Sequence, residues 1–260
     1  MSAARPHWAS YGPPVGDTAS HSMPPAGTAV YVIGDIHGRC DLLEMIQRGI
    51  EIDAGMRRAQ RKVIVYLGDY LSRGVDSRRV IDSILEWRPD GCHVVTLKGN
   101  HEDLALRYLD GELEVGRHWF AHDGLDALAH YGVDAADRSA RDNVTMESLR
   151  ARFADALPAA HLEFLRGLEV SHREGGYYFV HAGIRPGMTL QAQKDHDRMW
   201  IRKRFLESDD DHGATIVHGH SITPEPDVRH NRIGIDTGAY ASGVLTCLVL
   251  DGREREFLQT

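Results

Sequence analysis

The sequence predicts an α/β fold in which two β-sheets pack as a sandwich flanked by helices. Three observations carry this expectation. Apolar, β-branched runs at 29–33, 63–67 and 93–97 each end within two residues of a glycine. Segments with helical spacing lie between them, and alternating strand and helix implies a parallel sheet with right-handed crossovers. Beyond residue 168 the pattern changes to short strands separated by turn residues, which supplies a second sheet.

Residues 41–56 carry Leu42, Leu43, Ile46 and Ile50 on one helical face. Residues 76–87 read as a second helix, stopped near Pro89, and a third begins at about Glu102. The stretch 117–168 reads as mostly helical. Residues 169–172 and 177–180 form a hairpin around Gly175-Gly176, and later strands fall at 214–217, 232–235 and 244–250. Residues 1–28, rich in Pro, Gly, Ser and Ala, read as a flexible tail without the apolar core of a signal peptide. Residues 29–260 are then one domain.

Composition narrows the function. The chain has 260 residues, 42% of them hydrophobic, and a formal net charge of -8 with the acids dispersed. Nucleic-acid binding needs a basic face, and none is legible. No apolar run approaches the roughly 20 residues that span a bilayer. Three cysteines, Cys40, Cys92 and Cys247, lie far apart with no C-x-x-C spacing, so free thiols in a reducing cytoplasm are expected. Sixteen histidines are unusual, and a few in ligand company suffice for a metal site.

Five polar clusters stand at the ends of the predicted strands. They are Gly34-Asp35-Ile36-His37-Gly38, Gly68-Asp69-Tyr70, Gly99-Asn100-His101-Glu102, His181-Ala182-Gly183 and His218-Gly219-His220. In parallel sheets, sites form beyond the carboxyl ends of the strands. Residues two apart leaving a strand point the same way, so Asp35 and His37 can grip one ion. Asp69, with two carboxylate oxygens, can bridge to a second ion, near Asn100, His181 and His220. Such mixed nitrogen and oxygen ligation suits divalent manganese, iron or zinc.

The order and spacing of these clusters resemble the calcineurin-like metallophosphoesterases, closest to the PPP-type serine/threonine phosphatases with their bacterial and phage members. The resemblance runs from about Ala29 to Leu250. It implies that Asp35 and His37 bind a first metal, that Asp69 bridges, and that Asn100, His181 and His220 bind the second, with manganese expected and iron or zinc as alternatives. It implies a hydroxide between the ions as nucleophile and His101 as general acid. Arg73, in Tyr70-Leu71-Ser72-Arg73-Gly74, matches the family's phosphate-binding arginine, and Arg202, in Trp200-Ile201-Arg202-Lys203-Arg204, resembles a second one in bacterial and phage relatives. The physical roles agree. Two metals clamp a phosphoryl group and activate water, arginines hold its oxygens bidentately, and a histidine protonates the leaving oxygen. One departure stands out: Ser72 occupies the place of an aspartate that orients the acid histidine in most relatives. Asp76 and Asp103 are candidates to replace it.

The remaining histidines, His118, His122, His130, His161, His172, His196, His212 and His230, read as structural, and His218 as a support beside the site. Glu102 reads as a loop-orienting residue. Asp236-Thr237-Gly238 matches the aspartic-protease triplet, but that chemistry needs two such aspartates, so it reads as a strand-end turn. Two enzyme functions compete. One is hydrolysis of phosphate monoesters on proteins, at serine or threonine and by extension tyrosine; the other is cleavage of dinucleoside polyphosphates. A binding module that kept the fold without activity is the third and weakest reading, because every expected ligand is present.

Overall fold

The computed structural model describes residues 7–10, 22–134 and 142–260. The expected tail therefore lies outside the described residues at 1–6 and 11–21, and the helical stretch at 135–141. Within 1–28 the structure adds a strand that the sequence reading lacks, β1 (His7–Ser10).

β2 (Thr28–Ile33), α1 (Cys40–Met56), β3 (Arg61–Tyr66), α2 (Ser77–Glu86) and β4 (Cys92–Thr96) follow in the expected order. β2, β3 and β4 pair in parallel, with Ile33 opposite Tyr66 and Tyr66 opposite Thr96. Their carboxyl ends are thus level, and the residues that follow emerge side by side. α3 (Asn100–Leu109), α4 (Leu113–Phe120), α5 (Gly124–His130), α6 (Asn143–Ala156) and α7 (Ala159–Arg166) fill the helical stretch. The hairpin forms as β5 (His172–Glu174) and β6 (Tyr177–Phe179). After α8 (Asp195–Trp200) and α9 (Lys203–Leu206) come β7 (Thr215–His218), β8 (Asp227–Val228), β9 (Arg232–Gly234), α10 (Ala239–Ser242), β10 (Thr246–Asp251) and β11 (Glu254–Gln259). Two mixed sheets result, ordered β1-β11-β10-β2-β3-β4 and β5-β6-β7-β9-β8.

Alternation along each strand builds the layers. Val30, Val32, Val63, Val65, Leu248 and Leu250 point inward against Phe179, Val217 and Ile233 of the second sheet, forming the sandwich core. Tyr31, Ile33, Ile64, Tyr66 and Val249 point outward, where they share a core with Leu43, Ile46 and Ile50 of α1 and with Val80, Ile81 and Ile84 of α2. Tyr178 and Ile216 face a smaller core with Phe205 of α9. Among the described residues, no helix is long and apolar enough to cross a membrane. All three cysteines are free thiols.

Candidate metal centre and phosphate pocket

The site forms where both sheets end. β2 delivers Asp35 and His37, β3 delivers Asp69, and β4 leads into α3 with Asn100 at its first position. β6 and β7, parallel neighbours in the other sheet, deliver His181 and His220, and β9 beside them delivers Asp236. The sheets are stitched here by His181 Nδ1–H, which donates to the Leu67 carbonyl at 2.9 Å.

Strain concentrates at this end. Among the described residues, six non-glycine residues have left-handed backbone: His37, Asp69, Ser72, Arg73, Asp123 and His220, with φ between 44° and 71°. That conformation costs an L residue roughly 1–2 kcal/mol, so the surroundings must impose it. They do so with hydrogen bonds. The Ile36 and His37 N–H groups donate to the Asp69 carbonyl, and Gly74 N–H donates to the His37 carbonyl at 3.0 Å. The Glu102 carboxylate accepts from Asp69, Tyr70, Leu71 and Gly99 N–H at 2.8–3.1 Å. Two glycines are obligatory for closeness: a Cβ on Gly99 would sit 2.1 Å from Asp69 Oδ1, and one on Gly219 would sit 1.9 Å from Asp35 Oδ1.

The donor set fits divalent cations. His37 Nδ1–H donates to the Leu71 carbonyl at 2.9 Å, which leaves the Nε2 lone pair facing Asp69 Oδ2 at 3.2 Å. His181 likewise spends its Nδ1 proton on Leu67, so its Nε2 lone pair faces Asn100 Oδ1 at 3.0 Å and Asp69 Oδ1 at 3.5 Å. At His37 the Arg73 guanidinium meets that lone pair; at His181 lone pair faces lone pair, which repels unless a cation lies between. Asp35 Oδ1 and His220 Nε2 are buried without any hydrogen-bond partner. Ligand-type atoms gather into two groups, His37, Asp69 and His101, and Asp69, His181 and His220, with Asp69 common to both. Burial pushes the Asp35 carboxyl well up, with the Asp236 and Asp69 charges adding to it. It also raises Asp236, pushes His220 down to about 2 and His101 to about 3, and lowers His181. Burial, then the charge of Asp69, push the Glu102 carboxyl up to about 7 against its backbone donors. Neutral imidazoles and crowded carboxylates are the ligand state that divalent ions select.

Asp69, Asn100 and His220 line one wall of a cavity of about 310 Å³, together with Arg73, Arg202, Ile222 and Tyr240. Arg73 Nη1 donates to His37 Nε2 at 3.1 Å, its Nε lies 3.4 Å from Asp123, and its guanidinium lies 4.8 Å from the Tyr240 ring centroid. Arg202 Nη1 donates to the His220 carbonyl at 3.1 Å. Two guanidiniums beside the candidate metal ligands suit a phosphoryl group, whose charge grows on its non-bridging oxygens in the transition state. Arg73→Ala is therefore expected to lower kcat as well as raise KM, with kcat/KM falling on the order of 100-fold. Steady-state kinetics with an aryl phosphate check this, and an unchanged kcat would remove Arg73 from the reacting centre.

The structure brings together all nine sequence-predicted site residues, Asp35, His37, Asp69, Arg73, Asn100, His101, His181, Arg202 and His220. Two other readings gain detail. Asp236 makes the expected strand-end turn, its Oδ1 accepting Gly238 N–H at 2.9 Å, and is also buried where its charge acts on Asp35. His130, read as structural, bonds Ser77 at the base of the Arg73 loop. Neither suggested replacement for the missing aspartate reaches the acid histidine, whose Nδ1 is buried without a hydrogen-bond partner; Asp76 instead caps α2 by accepting from Arg79 N–H. Ser72 Oγ and His101 Nδ1 are both buried without a partner. His218 is buried behind the site, and Arg232 approaches it.

Comparison with known proteins agrees with this geometry. A Bis(5'-nucleosyl)-tetraphosphatase PrpE [asymmetrical] from Anoxybacillus flavithermus is 26% identical over 239 residues, covering 84% of this chain and 88% of that protein. Serine/threonine-protein phosphatase 2 from Salmonella typhimurium is also 26% identical, over 229 residues, with 84% and 90% covered. The crystal structure of a cold-active protein-tyrosine phosphatase from a psychrophilic Shewanella shares the fold, with a TM-score of 0.57 at 17% identity over 92% of this chain and 81% of that one. The family model for calcineurin-like phosphoesterase matches residues 28–243. That span includes every strand that ends in a candidate ligand, and the chain belongs to the calcineurin-like phosphoesterase family.

Proposed function

We propose that this phosphatase hydrolyses phosphate monoesters on phosphorylated proteins, using two divalent ions, with manganese as the first candidate. The observation that carries the reading is Asp69, whose two carboxylate oxygens face the imidazole nitrogens of His37 and His181 separately. Asp35, His37 and Asp69 would hold one ion, and Asp69, Asn100, His181 and His220 the other. When bound, such ions neutralise phosphoryl oxygens and lower the pKa of water at the site. Arg73 and Arg202 bind the non-bridging oxygens and orient the ester. His101 contributes a proton or a hydrogen bond to the leaving oxygen. The rim residues Ile222 and Tyr240 are partly exposed, which leaves room for a phosphorylated side chain to enter from a larger substrate. Free thiols support a reducing, cytoplasmic setting.

A second reading, dinucleoside polyphosphate hydrolysis, is favoured by a neighbouring cleft of about 310 Å³ lined by Leu104, Arg107, Glu114, Val115, His118, His196 and Trp200. Trp200 stacks on His196 at a 17° interplanar angle and lies 6.3 Å from His220, so a planar base could stack close to the reacting centre. The relative from Anoxybacillus flavithermus carries that activity in its name. The deciding assay sets phosphoserine, phosphothreonine and phosphotyrosine peptides against diadenosine tetraphosphate, with manganese and with chelator. Activity on none of them with manganese ends the phosphatase reading. A tetraphosphate preference of about tenfold or more in kcat/KM moves the assignment to the second reading.

Leaving-group dependence is a separate expectation. With Ser72 Oγ and His101 Nδ1 both unpartnered, no carboxylate hydrogen-bonds the imidazole, and burial outweighs the Asp69 charge that favours its protonated form. Esters with poor leaving groups depend most on that proton. Aryl phosphates and anhydrides should therefore be cleaved faster than alkyl phosphates. Ser72→Asp is expected to raise kcat/KM for a phosphoserine peptide several-fold more than for an aryl phosphate. Equal changes for both would mean that another group already orients His101.

A further inference from the structure

The loop between β3 and α2 carries Arg73, and two of its central residues, Ser72 and Arg73, have φ of 71° and 65°. Such consecutive left-handed residues do not hold themselves. Glu102 secures the first half of the loop, through the N–H groups of Asp69, Tyr70 and Leu71. The second half is held from a different direction, by α5.

We infer that His130, at the end of α5, is a positioning residue that sets the phosphate-binding arginine by anchoring its loop through Ser77. The Ser77 N–H lies 3.1 Å from His130 Nδ1. A backbone amide can only donate, so Nδ1 is the acceptor and the ring proton resides on Nε2. The Ser77 hydroxyl, 2.8 Å from the same nitrogen, then donates to it, and Ser77 Oγ in turn accepts Ser72 N–H at 3.0 Å. One imidazole therefore ties Ser72, the residue before Arg73, through the backbone and hydroxyl of Ser77. The helix meets the same loop at its other end, where Asp123, the residue before Gly124, faces Arg73 Nε at 3.4 Å. Ser77 is fully buried, so solvent does not readily replace these bonds. The inference rests on the phosphatase reading only in assigning Arg73 to a phosphate.

A double-mutant cycle on the full-length, manganese-loaded protein tests it, with inorganic phosphate as the probe and calorimetric Kd as the readout. His130→Ala is expected to weaken phosphate binding about fivefold or more in the otherwise native protein, and to have almost no effect when combined with Arg73→Ala. His130→Asn, which returns an acceptor near the Nδ1 position, should recover part of the loss. Should His130→Ala fail to fold, Ser77→Ala breaks the hydroxyl link alone and takes its place in the cycle with the same expected pattern. Equal losses with and without Arg73 would show general structural damage and overturn the inference, as would a loss of less than twofold in the native background. If Arg73→Ala itself leaves phosphate affinity unchanged, the assignment of Arg73 to phosphate is wrong, and the inference falls with it. The phosphatase reading is judged separately, by turnover, so an inactive protein that still shows the cycle keeps the inference and loses only the reaction.

Discussion

Asp69→Asn is expected to cost more activity than removal of any other single candidate ligand, with kcat/KM down roughly 10²- to 10⁴-fold at saturating manganese. The range follows from the about 3–5 kcal/mol lost when one partner of a buried charge assembly is removed, at about 1.4 kcal/mol per factor of ten. Asp69 is 2% exposed, and its oxygens serve different sides, Oδ2 toward His37 and Oδ1 toward His181. An amide keeps one oxygen but turns the other position into a donor, which cannot coordinate a cation. One ion loses a ligand outright, and the charge shared by both is gone. His37→Ala, by contrast, removes a ligand from one side only and should be roughly tenfold milder. Elemental analysis should find fewer than two ions per chain in the Asp69 variant. Added manganese should raise the Tm of the native protein and not that of the Asp69→Asn variant. If the variant binds two ions per chain and keeps more than a tenth of its turnover, Asp69 is not a bridge.

The legible part of this molecule was the part where one physical signal repeats. A β-branched run closed by glycine and then a carboxylate or histidine has no use in a core, so Asp35, Asp69 and Asn100 announced both the strand ends and the site. The level register of β2, β3 and β4 then followed from parallel pairing. The less legible elements depend on partners distant in sequence. β11 reads Glu-Arg-Glu-Phe-Leu-Gln, with only Phe257 and Leu258 buried, and Glu256 is matched by Arg57 of the α1 C-cap. Its polarity reads as a loop until β10 and β1 flank it. Asp236 sits on an ordinary-looking turn, and its closeness to Asp35 depends on the tertiary fold. His130 acts on Ser77 across 53 residues. Local periodicity carries no trace of such pairs, and with 16 histidines in the chain, residue type alone did not separate it from the others.

Glu102→Ala is expected to be the most destabilising substitution near the site, by about 4 kcal/mol or more. The carboxylate is fully buried and is the acceptor for four backbone N–H groups: Oε2 takes Asp69 and Gly99, and Oε1 takes Tyr70 and Leu71. Each N–H left buried without an acceptor costs roughly 1–3 kcal/mol, and water entering the vacated space recovers only part of that. Against a total stability of about 5–15 kcal/mol for a domain, this is a large fraction. For a chain of this size the Tm should fall by roughly 10 °C, at about 2–4 °C per kcal/mol. Glu102→Gln keeps one acceptor oxygen and should fall between the two. Glu254→Ala, on a side chain that is 72% exposed, should change the Tm by no more than about 2 °C and serves as the control. Manganese affinity should decline in the same order, because three of the four released N–H groups belong to Asp69, Tyr70 and Leu71, whose backbone sets where the shared carboxylate stands. Calorimetric melting of the three variants in chelator, followed by manganese titration, measures both effects. A Glu102→Ala protein that melts within 2 °C of the native chain would mean that the loop holds its left-handed turns by other contacts. A lower Tm with unchanged manganese affinity would separate the stability of the loop from the placement of Asp69.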